Sequence, residues 1–179
     1  KGVLLFHAAG NEASNNDIND NFPNAKVADA VVKNSPEKIP TWIEVGASSK
    51  NKTLDLPANF SNFGKASVDL FSPGVDLNST TPENTYSVYS GTSMASPCAA
   101  GVGALLLSNF SKMTAVQAKA ILLNQTRKYD ALLVHLPGND ILDLPIPFAS
   151  LSATGGVIDA FSSIVLAKQL SKELHYQDE

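Results

Sequence analysis

Apolar and polar residues fall in blocks along this chain. The first block, Val3-Leu4-Leu5-Phe6-His7-Ala8-Ala9, is almost wholly apolar, the pattern of a strand buried on both faces of a parallel sheet. Gly10-Asn11-Glu12 ends it, and an Asn- and Asp-rich stretch from Ala13 to Asn21 follows as a surface loop. Ala25 to Val32 predicts a short strand or a turn of helix. Trp42 to Ala47 and Ser67 to Phe71 predict strands bounded by Pro, Gly and Asn. From Ser93 to about Asn109 the pattern changes to a long apolar segment dense in Ala and Gly, a buried helix. Thr114-x-x-Gln117 then opens a second helix in capping-box style. An irregular segment from Tyr129 to Ser152, with prolines at 137, 145 and 147, leads to a last helix over Val157 to about Leu174 entered through Gly155-Gly156. A chain that starts directly in a buried strand, with no charged leader before it, reads as cut from something longer.

Composition narrows the function classes. An apolar fraction of 44% with 17% charged residues describes an ordinary globular domain. A net charge of -4, with Lys and Arg scattered, gives no footprint for nucleic acid. Apolar runs are shorter than the roughly 20 residues a membrane-spanning helix needs. The single cysteine, Cys98, excludes an internal disulfide and reads as a small buried hydrophobe.

Chemistry concentrates in Gly91-Thr92-Ser93-Met94-Ala95-Ser96-Pro97. Gly91 removes a side chain where a substrate backbone must approach, and Thr92 reads as an N-cap that puts Ser93 in the first helical turn. The unpaired N–H groups and dipole of that helix end favour the negative charge that develops on a carbonyl oxygen under attack. Pro97 falls near the end of the first turn, where at most one ladder bond is lost. Gly-Thr-Ser alone is common at helix starts. A specified seven-residue string, by contrast, arises by chance about once in 10^8 windows.

That string resembles the nucleophile motif of the subtilisin-like serine proteases, with Ser93 in the place of the attacking serine. Upstream, Ala8-Ala9-Gly10-Asn11 resembles the segment bearing the oxyanion-hole asparagine. Resemblance continues through Ile39 to Ala47, Phe60-Ser61-Asn62-Phe63-Gly64 and Val68 to Val75. Thr154 to Ala160 looks like the entry to the family's closing helix. It implies an incomplete α/β domain, a mostly parallel sheet flanked by helices whose N-terminal portion is absent, with residues 1–179 forming the C-terminal part of one peptidase domain. It also implies a serine endopeptidase acting on polypeptides and a secreted or extracytoplasmic setting. Catalytic residues would be Ser93 and Asn11, and Ala8, Ala9, Gly10 and Thr92 would bind substrate. The family's aspartate and His-Gly-Thr-His-type motif, which precede the serine, do not occur here, so the fragment alone is expected to be inactive.

Cys98-Ala99-Ala100 departs from the family's usual histidine, valine and alanine, and Cys98 lies too far round the helix to replace Ser93. Of the three histidines, His135 falls in the irregular segment and His175 in the tail. His7 reads as a satisfied core histidine rather than a base. Asp17, Asn19 and Asn21 have the alternate spacing of a calcium loop, but Phe22 stands where that loop needs glycine. No metal ligand or cofactor is assigned in this chain, and the resemblance leaves structural calcium to the intact domain. Asn-x-Ser/Thr sequons begin at Asn51, Asn59, Asn78, Asn109 and Asn124. Two other readings stand beside the enzyme: a catalytically dead homologue serving as a binding module, and a nucleotide-binding α/β domain, for which Gly10-Asn11-Glu12 offers only one glycine. Severed from its neighbours, the chain is expected to self-associate.

Overall fold

The computed structural model describes residues 2–19, 21–25, 39–139 and 144–175. The element expected over 25–32 lies, past Ala25, outside them. Three parallel strands come first in the sheet: β1 (Leu5–Ala8), β2 (Trp42–Ser48) and β3 (Leu70–Pro73), with Leu5 opposite Trp42 and Val45 opposite Leu70. β4 (Leu77–Thr81) and β5 (Thr85–Tyr89) form a separate hairpin. Then come α1 (Thr92–Asn109), α2 (Ala115–Asn124), β6 (Arg127–Lys128), β7 (Leu133–Val134), β8 (Ile146–Pro147), β9 (Gly156–Val157) and α3 (Ala160–His175). The five-stranded sheet has the order β1-β2-β3-β9-β6, parallel except where β6 meets β9. This is the mixed α/β architecture, with a mostly parallel sheet flanked by helices, that the sequence predicts.

Strand alternation sorts the core into two layers. Ile43, Val45, Ala47 and Leu70 point to one face, where Ala95, Ala99 and Leu106 of α1, Ile121 and Leu122 of α2 and Ala167 of α3 meet them. Phe71 points to the other face and joins Val68, Val134, Phe148 and Leu151, so the irregular segment after α2 serves as the second cover. Burying each large side chain of this kind contributes about 1.5–3 kcal/mol. Close approach of α1 to the sheet depends on its small residues: a Cβ on Gly103 would lie 2.7 Å from the Phe6 ring.

Helix ends follow local chemistry. Thr114 caps α2 with the expected reciprocal box, its hydroxyl accepting from Gln117 N–H while the Gln117 side chain accepts from Thr114 N–H. The last helix starts later than predicted. Val157 pairs with Phe71 and Arg127 as part of β9, and the helix begins only after Asp159, whose Oδ1 accepts from Ser162 N–H at 3.0 Å. Sheet pairing captures a residue that periodicity alone assigns to the helix. No helix of the described residues is long and apolar enough to cross a membrane.

One face of α1 is left uncovered by the described residues. Ser93, Pro97, Cys98, Gly101, Ala104 and Leu105 are exposed, and a Cβ on Gly101 would meet nothing. Cys98 is therefore not the buried hydrophobe expected, because no described element packs over that side of the helix. Beside it, β1 is the edge strand of the sheet, paired only with β2 among the described residues, with Val3 and Leu5 exposed.

Candidate active site

Parallel strands bring their carboxyl ends to one edge, where the connecting loops meet. β1 delivers Gly10 and Asn11 there, and β3 delivers Gly74, whose carbonyl accepts from Gly91 N–H at 2.8 Å and docks the turn leading into α1. Gly74 has no room for a side chain: a Cβ would lie 2.8 Å from both the Ala47 Cβ and the Gly91 carbonyl oxygen.

The helix cap differs from expectation. Gly91, not Thr92, is the N-cap; its carbonyl accepts from Met94 and Ala95 N–H, and no side chain caps the end. Thr92 is the first helical residue and Ser93 the second, which leaves Ser93 exposed and its N–H without an acceptor among the described residues. Pro97, lacking an N–H, leaves the Ser93 carbonyl without its usual helical donor.

Thr92 instead ties the two site segments together. It is 1% exposed. Its N–H and its hydroxyl donate to Asn11 Oδ1 at 2.9 and 3.0 Å, and the same hydroxyl accepts from Gly10 N–H at 3.2 Å. Only the amide oxygen can accept from a backbone N–H, so these bonds fix which way the Asn11 amide is turned. Asn11 Nδ2 is left as a donor with no acceptor among the described residues. A Cβ on Gly91 would sit 3.7 Å from both Asn11 Oδ1 and Ser93 N, in the space between the two segments.

Other predicted residues are placed as follows. Ala8 and Gly10 are half-buried at the mouth of the site. Ala9 is fully buried with Leu56, Val68 and Phe71. Its carbonyl accepts from Asn16 and Asn21 Nδ2 and its N–H donates to Val45, so neither its side chain nor its backbone is free to line a pocket. His7 is engaged away from the serine: Nδ1 lies 2.8 Å from Glu44 Oε1, and its ring stacks 5.1 Å from Trp42, whose Nε1 donates to Glu44 Oε2. His135 Nδ1 lies 3.0 Å from Asp55 Oδ1. Partial burial pushes the Cys98 thiol up, away from the thiolate form a nucleophile needs.

Sequence reading missed the support for Asn11. Asn62, in the loop between β2 and β3, accepts from Glu12 and Ser14 N–H through Oδ1, both at 2.9 Å, and its N–H donates to the Gly10 carbonyl. A polar residue inside Phe60-Ser61-Asn62-Phe63-Gly64 was the available signal.

Known proteins match this arrangement. Residues 1–140 fit the profile of the subtilase family. Subtilisin DY of Bacillus licheniformis is 37% identical over 118 residues, which is 66% of this chain and 37% of that protein. Subtilisin-like protease 2 of Plasmodium falciparum is 35% identical over 108 residues, 60% of this chain and 7% of that one. The crystal structure of a cold adapted subtilisin-like serine proteinase superposes with a TM-score of 0.57 at 31% identity, covering 71% of this chain and 40% of its own. The chain thus spans little more than a third of subtilisin DY and far less of the longer relative. A profile match over most of the chain, a shared fold and the Gly91 to Pro97 motif at an exposed helix start together make this chain a member of the subtilase family.

Proposed function

We propose that this chain supplies the nucleophile and oxyanion site of a serine endopeptidase, and that the acid and base come from a part of the catalytic unit outside it. Ser93 Oγ adds to the carbonyl carbon of a peptide bond as its proton passes to a histidine. The carbonyl oxygen, now negative, accepts from Asn11 Nδ2–H and Ser93 N–H. Collapse breaks the C–N bond, the departing amine takes the proton from the histidine, and water then hydrolyses the acyl-Ser93 ester. Ala8 and Gly10 border the substrate, while Thr92 acts on Asn11 rather than on substrate. We place the protein in a secreted or extracytoplasmic setting by its family resemblance, and an intact domain has scope for structural calcium outside these residues.

The observation that carries this reading is the pair of unused donors. Asn11 is turned by Thr92 so that its oxygen is occupied, and neither its NH2 group nor the Ser93 N–H has an acceptor among the described residues. In the active protease, Ser93→Ala abolishes turnover, and Asn11→Ala lowers kcat by about 10^2 to 10^3 with KM little changed. Normal kcat in Asn11→Ala would remove it from the oxyanion site. The same reading requires the isolated chain to hydrolyse no peptide, since it places the base outside this chain.

A further inference from the structure

The Asn11 side chain is aimed by Thr92, but the backbone on which Asn11 stands is held by a different group. Asn62 is 3% exposed and its side-chain amide is used completely. Oδ1 accepts from Glu12 N–H and Ser14 N–H, both at 2.9 Å, and Nδ2 donates to Glu12 Oε2 at 3.0 Å and Asn16 Oδ1 at 3.1 Å. Its own N–H donates to the Gly10 carbonyl at 2.9 Å. Asn62 therefore grips the residue before Asn11 and the residue after it, through four bonds to residues 10, 12 and 14. Asn16, held by the fifth, donates in turn to the Ala9 carbonyl at 2.8 Å. The grip is close: Gly10 has φ +108, and a Cβ there would collide with Asn62 Nδ2 and with Glu12 Oε2, the latter at 2.6 Å.

We infer that Asn62 is a positioning residue for the reaction, setting the place of the oxyanion donor Asn11 without touching substrate. This rests on the reading of Asn11 given above. A flat group with two acceptor sites at one end and two N–H donors at the other is what the loop from Gly10 to Asn16 requires. Leucine matches the size with no polar atoms, and aspartate supplies the acceptors but sets a second carboxylate against Glu12.

The test uses the active full-length protease. Asn62→Ala lowers kcat about tenfold and leaves KM within about twofold, since the donor is displaced but not removed. Affinity for a peptide boronate, which forms a tetrahedral adduct on the serine, falls by the same factor, and affinity for the corresponding uncleavable peptide does not. In an Asn11→Ala background, Asn62→Ala costs less than about twofold more, because its target is already gone. Asn62→Asp alone loses kcat as the alanine variant does, and adding Glu12→Gln restores most of it by returning a donor to that contact. Equal losses with and without Asn11, a change in KM alone, or no rescue by Glu12→Gln would overturn the assignment. If Asn11→Ala by itself leaves kcat normal, the oxyanion reading fails instead, and the two failures are told apart by that single variant.

Discussion

Thr92→Val tests whether the Thr92 hydroxyl aims the oxyanion donor. Valine keeps the β-branched shape in a site that is 1% exposed, and keeps the backbone N–H bond to Asn11 Oδ1. It deletes the hydroxyl that donates to Asn11 Oδ1 and accepts from Gly10 N–H. One neutral hydrogen bond contributes about 0.5–1.5 kcal/mol net, so losing half of the Asn11 tether should lower kcat by about 2- to 12-fold. That is well short of deleting Asn11 itself. Gly10 N–H also loses its acceptor in a part-buried site, at a cost to stability of about 1–3 kcal/mol, or several degrees in Tm for a domain of this size. Steady-state kinetics on a peptide p-nitroanilide, with Thr92→Ser as the control that retains the hydroxyl, separates the effects. Thr92→Ser should keep kcat close to the parent. Unchanged kcat in Thr92→Val, or an equal loss in Thr92→Ser, would show that the hydroxyl does not aim Asn11 and that methyl packing is what matters.

Other outcomes follow from the same contacts. Gly74→Ala should destabilise by about 1–3 kcal/mol and lower kcat as well, because its Cβ meets the Gly91 carbonyl that starts the Ser93 helix; a stability loss with normal kcat would uncouple the two. The Asp159 carboxyl is held below its ordinary 3.8, first by the Ser162 N–H, against the opposing effect of burial, and then by Arg127 at 3.1 Å. A depressed carboxyl stabilises the fold above the unfolded value and loses that contribution as pH falls through the folded value. Asp159→Asn, which keeps the cap oxygen, should therefore lower Tm at neutral pH and converge on the parent below pH 3.8, whereas a pH-independent gap would assign the effect to packing. The uncovered face of α1 beside the β1 edge should make the isolated chain self-associate in light scattering and bind a hydrophobic dye. A stable, dye-free monomer would mean that this face is covered.

Much of the frame was legible because it is local. The Thr114 to Gln117 box depends on four consecutive residues, and the apolar run at Trp42 shows its burial directly. The run at Leu5 reads as a strand buried on both faces, yet it forms the edge of the sheet with Val3 and Leu5 exposed, because burial there depends on which elements stand beside β1. The β4–β5 hairpin is not legible in the pattern, since Asn78-Ser79-Thr80-Thr81 looks like a polar loop. Its signal was the Thr, Tyr and Val content after a Pro82-Glu83-Asn84 turn, where Glu83 and Asn84 take positive φ. Local rules favour Thr92 as a cap, yet a contact 81 residues away claims its hydroxyl. Residue type alone predicts a buried Cys98, whereas its exposure depends on which elements stand opposite α1. Asn62 could not be placed at all, because its partners lie about 50 residues upstream and are joined only by the fold.

The most direct measurement is to treat the active full-length protease with a fluorophosphonate and map the adduct by mass spectrometry. A single phosphonyl group on Ser93, absent after Ser93→Ala together with all turnover, is the expected result. An adduct on another residue, or peptide hydrolysis that survives Ser93→Ala, would contradict the assignment of this serine as the nucleophile.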